Sequence, residues 1–64
     1  MPVITVDTSK LTRESKAILC EKMTDIICEI SKAPREFVTV IVRENELDNF
    51  SINGELVSEI LKKR

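Results

Sequence analysis

Residues 37–44 read Phe-Val-Thr-Val-Ile-Val-Arg-Glu, an almost continuously apolar run of side chains that favour strands. The even positions, Val38, Val40 and Val42, form a purely apolar face, whereas the odd positions mix apolar and polar residues. A strand that is apolar on both faces is typical of a parallel pair whose crossover helix covers the sheet. We therefore expect a second strand and a long helix elsewhere in the chain.

The sequence before this strand contains both elements. Residues 2–7 are rich in β-branched side chains and predict the first strand. Residues 13–31 predict a helix, with Thr12 as its N-cap and Ala33-Pro34 as its end. Its apolar residues recur at helical spacing and form one stripe, made by Leu19, Met23, Ile26, Ile27 and Ile30. Strand, helix and strand make a β-α-β unit, which we expect to be right-handed.

The sequence after Asn45 is polar and predicts a small appendage to this unit. Gly54 is the only glycine of the chain, so we expect positive φ there, within a short hairpin or turn. Residues 55–64 carry apolar side chains on one side and predict a short amphipathic helix or an arm. The expected fold class is therefore α/β (α+β), with one β-α-β unit, a short C-terminal hairpin and a tail in a single domain of residues 1–64.

The size of the chain predicts self-association. Sixty-four residues bury a small core, and domains of this size usually need a disulfide, a metal or a partner subunit. The chain has no histidine and no paired-ligand motif, so we expect no metal and no cofactor. Cys20 and Cys28 lie eight residues apart on one helix, about 12 Å, which is too far for a disulfide. A homo-oligomer remains.

The composition excludes several classes of function. Ten basic and eleven acidic residues nearly balance, and the two aromatic residues, Phe37 and Phe50, provide no stacking platform, so nucleic-acid binding is not expected. The apolar runs are too short to span a membrane, and no signal peptide is apparent. Free thiols are typical of a reducing compartment. We therefore expect a soluble cytoplasmic protein.

Pro2 leaves two interpretations open. Proline suits the first position of an edge strand, where no ladder donor is needed. Removal of Met1, which is usual before a small residue, would instead expose a secondary amine that can act as a base. The chain has no histidine, no glycine-rich phosphate loop and no nucleophile elbow, and neither cysteine carries a nucleophile signature. If the protein is an enzyme, the amine of Pro2 is the most plausible base.

An ordered set of segments resembles the 4-oxalocrotonate tautomerase family over nearly the whole chain. The set comprises residues 2–6, the helix start at residues 11–16, Ala33-Pro34 with the strand that follows, and residues 50–56. The resemblance implies a β-α-β subunit that pairs into a dimer, usually assembled as a trimer of dimers. It also implies a tautomerase in which a catalytic proline, exposed by methionine removal, moves a proton on a dienol or 2-hydroxydienoate.

The resemblance carries over to this chain residue by residue only in part. Pro2 matches the catalytic proline, and Phe50 matches an apolar wall of the substrate site, although it could equally be a packing residue. Thr39 stands where the best-studied branch has an arginine, and the loop before the helix has Lys10-Leu11 in place of another. Lys10 and Arg43 could replace these cations and bind the substrate carboxylate, or they could be ordinary surface charges.

Two other functions stay open on the same scaffold. The missing arginine at Thr39 is compatible with an oligomeric binding or assembly module whose tautomerase activity is weak or vestigial. Within the enzyme class, the same proline could protonate a substrate during addition of water, as in dehalogenation by hydration, which we rank below tautomerisation.

Overall fold

The computed structural model describes residues 1–63 and shows a strand-helix-strand unit followed by a hairpin and a short helix. Arg64, the last residue of the predicted tail, lies outside the described residues. Two single-turn 3-10 helices, Arg35–Phe37 and Leu47–Asn49, join the main elements. These elements are β1 (Val3–Thr8), α1 (Arg13–Ser31), β2 (Thr39–Glu44), β3 (Ser51–Ile52), β4 (Glu55–Leu56) and α2 (Val57–Lys62).

β1 and β2 form a two-stranded parallel sheet. Val3 lies opposite Thr39, and the pairing continues in register to Thr8 opposite Glu44. Parallel neighbours require a long crossover, which α1 provides, so the predicted β-α-β unit is confirmed. β2 begins later than predicted because Phe37 forms a 3-10 turn, in which its N–H donates to Pro34 O at 3.0 Å.

Local capping residues determine the ends of α1. Thr12 has an extended backbone, and its Oγ1 accepts a hydrogen bond from Ser15 N at 3.1 Å, as the sequence predicts for an N-cap. At the other end Lys32 adopts a left-handed conformation, with φ 62°, and its N–H donates to Cys28 O at 3.0 Å. Pro34 follows two residues later and prevents the helix from continuing.

The predicted apolar stripe of α1 is divided between a packed and an open side. The half-buried residues of α1 recur at helical spacing and lie on the side of the helix that packs on the sheet, whose own half-buried positions are even-numbered. These helix residues are Lys16, Leu19, Cys20, Met23, Thr24, Ile27 and Cys28. Ile26 and Ile30 belong to the same predicted stripe but are 49% and 73% exposed. α1 therefore has more apolar surface than its own sheet covers.

The segment of residues 47–62, here called the C-terminal arm, is held together by its own contacts. β3 and β4 pair around Asn53 and Gly54, whose φ values of 54° and 81° are those of a two-residue type I′ turn. Val57 N donates to Phe50 O at 2.9 Å, and Ser58 Oγ donates to Asp48 Oδ1. These bonds fasten α2 to the turn at Leu47–Asn49 and confirm the expected hairpin and amphipathic tail helix.

The single chain leaves an unusually large surface exposed. It measures 45 × 24 × 15 Å, and its radius of gyration is 15.1 Å, against about 11 Å for a compact domain of this length. Its accessible surface is 5212 Å², roughly 1,000 Å² more than a compact monomer of this mass exposes. Within residues 1–63 no side chain is fully buried. Apolar side chains stand exposed on the sheet, on α1 and on the arm, including Val3, Ile41, Ile18, Ile52 and Leu61.

The hairpin turn yields a test of local backbone strain. No atom lies within 4 Å of the position that a Cβ would take on Gly54, so Gly54→Ala creates no clash. The left-handed backbone should nevertheless lower the free energy of unfolding by about 1 kcal/mol. Asn53→Gly, at the neighbouring left-handed position, is the matched control. It should change the free energy of unfolding by no more than about 0.3 kcal/mol. Thermal unfolding at one fixed protomer concentration measures both.

Candidate active site

Pro2 lies at the amino-terminal end of the parallel sheet. Its carbonyl oxygen accepts the N–H of Thr39 at 3.1 Å, and the paired strand begins with the next residue, Val3. The carbonyl group of Pro2 is therefore anchored to β2, whereas its nitrogen carries no N–H and takes no part in the pairing. Met1 acylates that nitrogen and is itself 92% exposed. Removal of Met1 would free the amine without taking away a ladder hydrogen bond of β1.

Thr39 is the residue of β2 nearest to Pro2 in the register. Its backbone amide holds Pro2, and its side chain is exposed on the face that carries Val3, opposite the half-buried positions under α1. An arginine at this position would project from the same end of the sheet as the proline. Threonine places a short, uncharged side chain there instead.

Lys10 lies at the other end of the sheet, beside Glu44. An open groove of about 350 Å³ is lined by Lys10, Glu44, Asn45, Glu46 and Leu47. From Pro2 to Thr8 the chain runs six residues along β1, about 20 Å, and Lys10 lies beyond that end. Within one subunit Lys10 therefore does not reach a substrate bound at Pro2.

Arg43 is also separated from Pro2 in the single chain. It lies opposite Asp7, four residues beyond Thr39, which is about 13 Å along the strand. Its side chain is exposed and makes no ion pair within residues 1–63. Within one subunit Arg43 therefore lies well away from Pro2.

Phe50 belongs to the C-terminal arm. It is half-buried, and its carbonyl oxygen is engaged by Val57 N, so its backbone is held by α2 and not by the β-α-β unit. The four predicted site residues thus occupy three regions of the chain: Pro2 at one end of the sheet, Lys10 and Arg43 toward the other, and Phe50 in the arm.

Glu44, at the end of β2 beside Lys10, is a residue that the sequence does not single out. One carboxylate oxygen accepts Leu11 N at 2.8 Å, and the other accepts Lys16 Nζ at 3.1 Å. The pKa of Glu44 is lowered below its usual value of 4.5. The largest cause is the hydrogen bond from Leu11 N, followed by the hydrogen bond and charge of Lys16 and then by the charge of Lys10. Because its partners lie 33 and 28 residues away, no local motif could have revealed this cluster.

Other kinds of site find no support in residues 1–63. They contain no group of three or more His, Cys, Asp or Glu side chains placed to hold a metal ion. None of the helices described is long and apolar enough to cross a membrane. Cys20 and Cys28 are both free thiols on the half-buried side of α1.

Comparison with known proteins shows the family. The family model described as "Tautomerase enzyme" matches residues 2–60, which is nearly the whole chain and begins at Pro2. The chain belongs to the tautomerase family. A probable tautomerase of Bacillus cereus is 32% identical to it over 60 residues, covering 92% of this chain and 98% of the relative.

Solved structures agree with this tautomerase fold. TomN, a 4-oxalocrotonate tautomerase homologue of the tomaymycin biosynthetic pathway, is 29% identical and superposes with a TM-score of 0.92 over 95% of each chain. YwhB, another homologue of 4-oxalocrotonate tautomerase, is 30% identical, with a TM-score of 0.86 over 91% of this chain and 97% of its own. A 4-oxalocrotonate tautomerase isozyme of Methylibium petroleiphilum, 17% identical, shares the fold with a TM-score of 0.94 over 98% and 100%.

The lowered pKa of Glu44 predicts how stability depends on pH. A carboxylate whose pKa is depressed on folding stabilises the folded state above its unfolded pKa, and that contribution is lost as the pH falls through the folded pKa. Wild type should therefore melt at a higher temperature than Glu44→Gln at neutral pH. The difference should shrink as the pH falls below 4.5.

Thermal unfolding from about pH 3 to about pH 7 measures this effect. Lys16→Met serves as the comparison variant, because it removes the ion pair but keeps the hydrogen bond from Leu11 N. It should lose only part of the pH-dependent difference. A gap between wild type and Glu44→Gln that stays constant over the whole pH range would contradict the prediction.

Proposed function

We propose that this tautomerase catalyses enol–keto proton transfer, in a 1,3- or 1,5-sense, on a 2-hydroxydienoate or a related small carboxylate. Pro2 acts first as general base and then as general acid. The observation that carries the proposal is the anchoring of Pro2 at the sheet end, through its carbonyl bond to Thr39 N at 3.1 Å. This bond fixes the pyrrolidine ring while it leaves the nitrogen to the substrate.

The proposal requires that Met1 is removed. The acylated nitrogen of Met1-Pro2 is an amide and cannot take up a proton, whereas the free secondary amine can. Apolar surroundings and nearby cations both favour the neutral amine, which is the form that acts as a base at neutral pH. The free thiols of Cys20 and Cys28 agree with a cytoplasmic location, where methionine trimming takes place during synthesis.

The proton-transfer step uses no cofactor. The nitrogen of Pro2 accepts the proton of the 2-hydroxyl group, and the electron pair of that O–H bond forms the carbonyl while the diene electrons shift toward C3 or C5. The protonated amine then delivers the same proton to that carbon. Cations near the substrate oxygens stabilise the negative charge that develops between the two steps.

The substrate site is completed by neighbouring subunits. Lys10 and Arg43 lie too far along the sheet to reach the Pro2 of their own chain, so in this proposal they bind the carboxylate and polarise the carbonyl from other copies. Phe50, on the protruding arm, closes the site as an apolar wall. A homo-oligomer, a dimer further assembled as a trimer of dimers, also covers the apolar surface that the single chain leaves open.

A second candidate function rests on Thr39. No cation stands beside Pro2 in β2, so the same oligomer could serve as a binding or assembly module with weak or vestigial tautomerase activity. The two candidates share fold and assembly and differ in whether Pro2 contributes to turnover.

Pro2→Ala separates these candidates. Loss of the positioned secondary amine should lower kcat/KM for 2-hydroxymuconate or phenylenolpyruvate by about 10²–10⁴. The assay follows the disappearance of the enol absorbance, and N-terminal mass measurement confirms that Met1 is absent. Protein that retains Met1 is the control and should be as inactive as the variant. Equal background turnover of wild type and Pro2→Ala, with the oligomer intact, would favour the binding module.

Thr39→Arg tests whether the site already has its cations. If Lys10 and Arg43 supply them, an added arginine beside Pro2 should change kcat/KM by less than about threefold, whereas a missing cation is worth about a hundredfold or more. Thr39→Met is the matched control, because it adds a long side chain without charge. A large gain with arginine and none with methionine would mean that neither Lys10 nor Arg43 replaces the missing residue.

A further inference from the structure

Both oxygens of the Glu44 carboxylate are used to hold the loop between β1 and α1. Leu11, the residue directly after Lys10, donates its backbone N–H to Oε2 at 2.8 Å. Lys16, in the first turns of α1, donates to Oε1 at 3.1 Å. The end of β2 is thereby joined to the loop and to the helix start, which lie far away along the chain.

Glu44 lies at the surface, but it makes more than a surface ion pair. The side chains of Lys16 and Glu44 are 35% and 33% exposed, whereas Lys62 and Glu59 in the α2 pair are 72% and 53% exposed. The bond from Leu11 N to a carboxylate is charge-assisted, and it restrains the backbone itself and not only a flexible side chain. Glu44 therefore fixes the path of the chain at Lys10.

The same cluster leaves Lys10 available to an anion. Lys16 pairs with Glu44 through a direct contact. Lys10 lines the adjacent groove with Glu44 and Glu46, acts on Glu44 only through its charge, and forms no ion pair with a residue between 1 and 63. On the other side of Lys10 the chain is held at Thr8, whose carbonyl oxygen accepts a hydrogen bond from Asn45 N at 2.8 Å. Lys10 thus belongs to a loop whose backbone is hydrogen-bonded on both sides of it, at Thr8 and at Leu11.

We propose that Glu44 is a positioning residue for the substrate carboxylate: it holds the loop so that Lys10 presents its ammonium to a substrate bound at the Pro2 of a neighbouring subunit. This inference rests on the proposed function. Glu44 itself touches no substrate, and its effect passes entirely through Lys10.

A double-mutant cycle on the intact oligomer tests this dependence. Glu44→Met removes both hydrogen bonds and should raise KM for 2-hydroxymuconate about tenfold, with a smaller change in kcat, because the displaced ammonium mainly weakens binding. Glu44→Gln keeps one acceptor and should have an intermediate effect. In a Lys10→Met background, Glu44→Met should have no further effect on KM. Glu59→Gln, which breaks the exposed α2 pair, is the matched control.

A binding measurement makes the test independent of proton transfer. The four proteins of the cycle, namely wild type, Glu44→Met, Lys10→Met and the double variant, are titrated with muconate, a dicarboxylate that lacks the reactive 2-hydroxyl group. Their dissociation constants should follow the pattern of KM. Size-exclusion chromatography verifies that each variant keeps the oligomeric state of the wild type.

The outcomes separate this inference from the proposed function. An equal loss of affinity from Glu44→Met with and without Lys10, or no loss in either background, would overturn the positioning role. Turnover that survives Pro2→Ala unchanged would overturn the proposed function instead, and it would leave the muconate cycle as the direct measure of Glu44.

Discussion

The parallel pairing of β1 with β2 is the constraint on which the rest of this structure depends. A two-stranded parallel sheet has two faces and two edges, and one crossover helix covers only one face. The even-numbered residues, such as Ile4 and Val40, pack under α1, while Val3 and Ile41 remain on the open side. The large exposed surface of the chain follows from this geometry, and the proposed homo-oligomer would reduce it.

The same pairing separates the residues of the candidate site. In a parallel pair the amino termini of both strands lie at the same end of the sheet, so Pro2 and Thr39 are neighbours there. Lys10 and Arg43 lie toward the opposite end. A single subunit holds the proposed base and the proposed cations but cannot bring them together. Under the proposed function, assembly and catalysis would therefore depend on the same contacts between subunits, and the position of Phe50 in the C-terminal arm is consistent with such sharing.

Features with a local cause could be predicted from the sequence, and features with a distant cause could not. The cap at Thr12, the stop before Pro34 and the turn at Asn53-Gly54 depend on neighbouring residues, and each was confirmed. The stripe of α1 was predicted as one surface, yet Ile26 and Ile30 are exposed, because periodicity shows that a residue is apolar and not which surface covers it. The partners of Glu44 depend on the tertiary fold alone.

The contrast between lysine and arginine gives a reason for the bonds to Glu44. Arginine presents a planar fork that can bind a carboxylate through two parallel hydrogen bonds, so its own shape contributes to the geometry. Lysine is a point charge on a flexible stem, and its position depends more on the backbone that carries it. If Lys10 binds the substrate carboxylate as proposed, a tautomerase with Thr39 in β2 needs the loop that carries Lys10 to be fixed. The two hydrogen bonds of Glu44, to Leu11 N and Lys16 Nζ, provide that restraint.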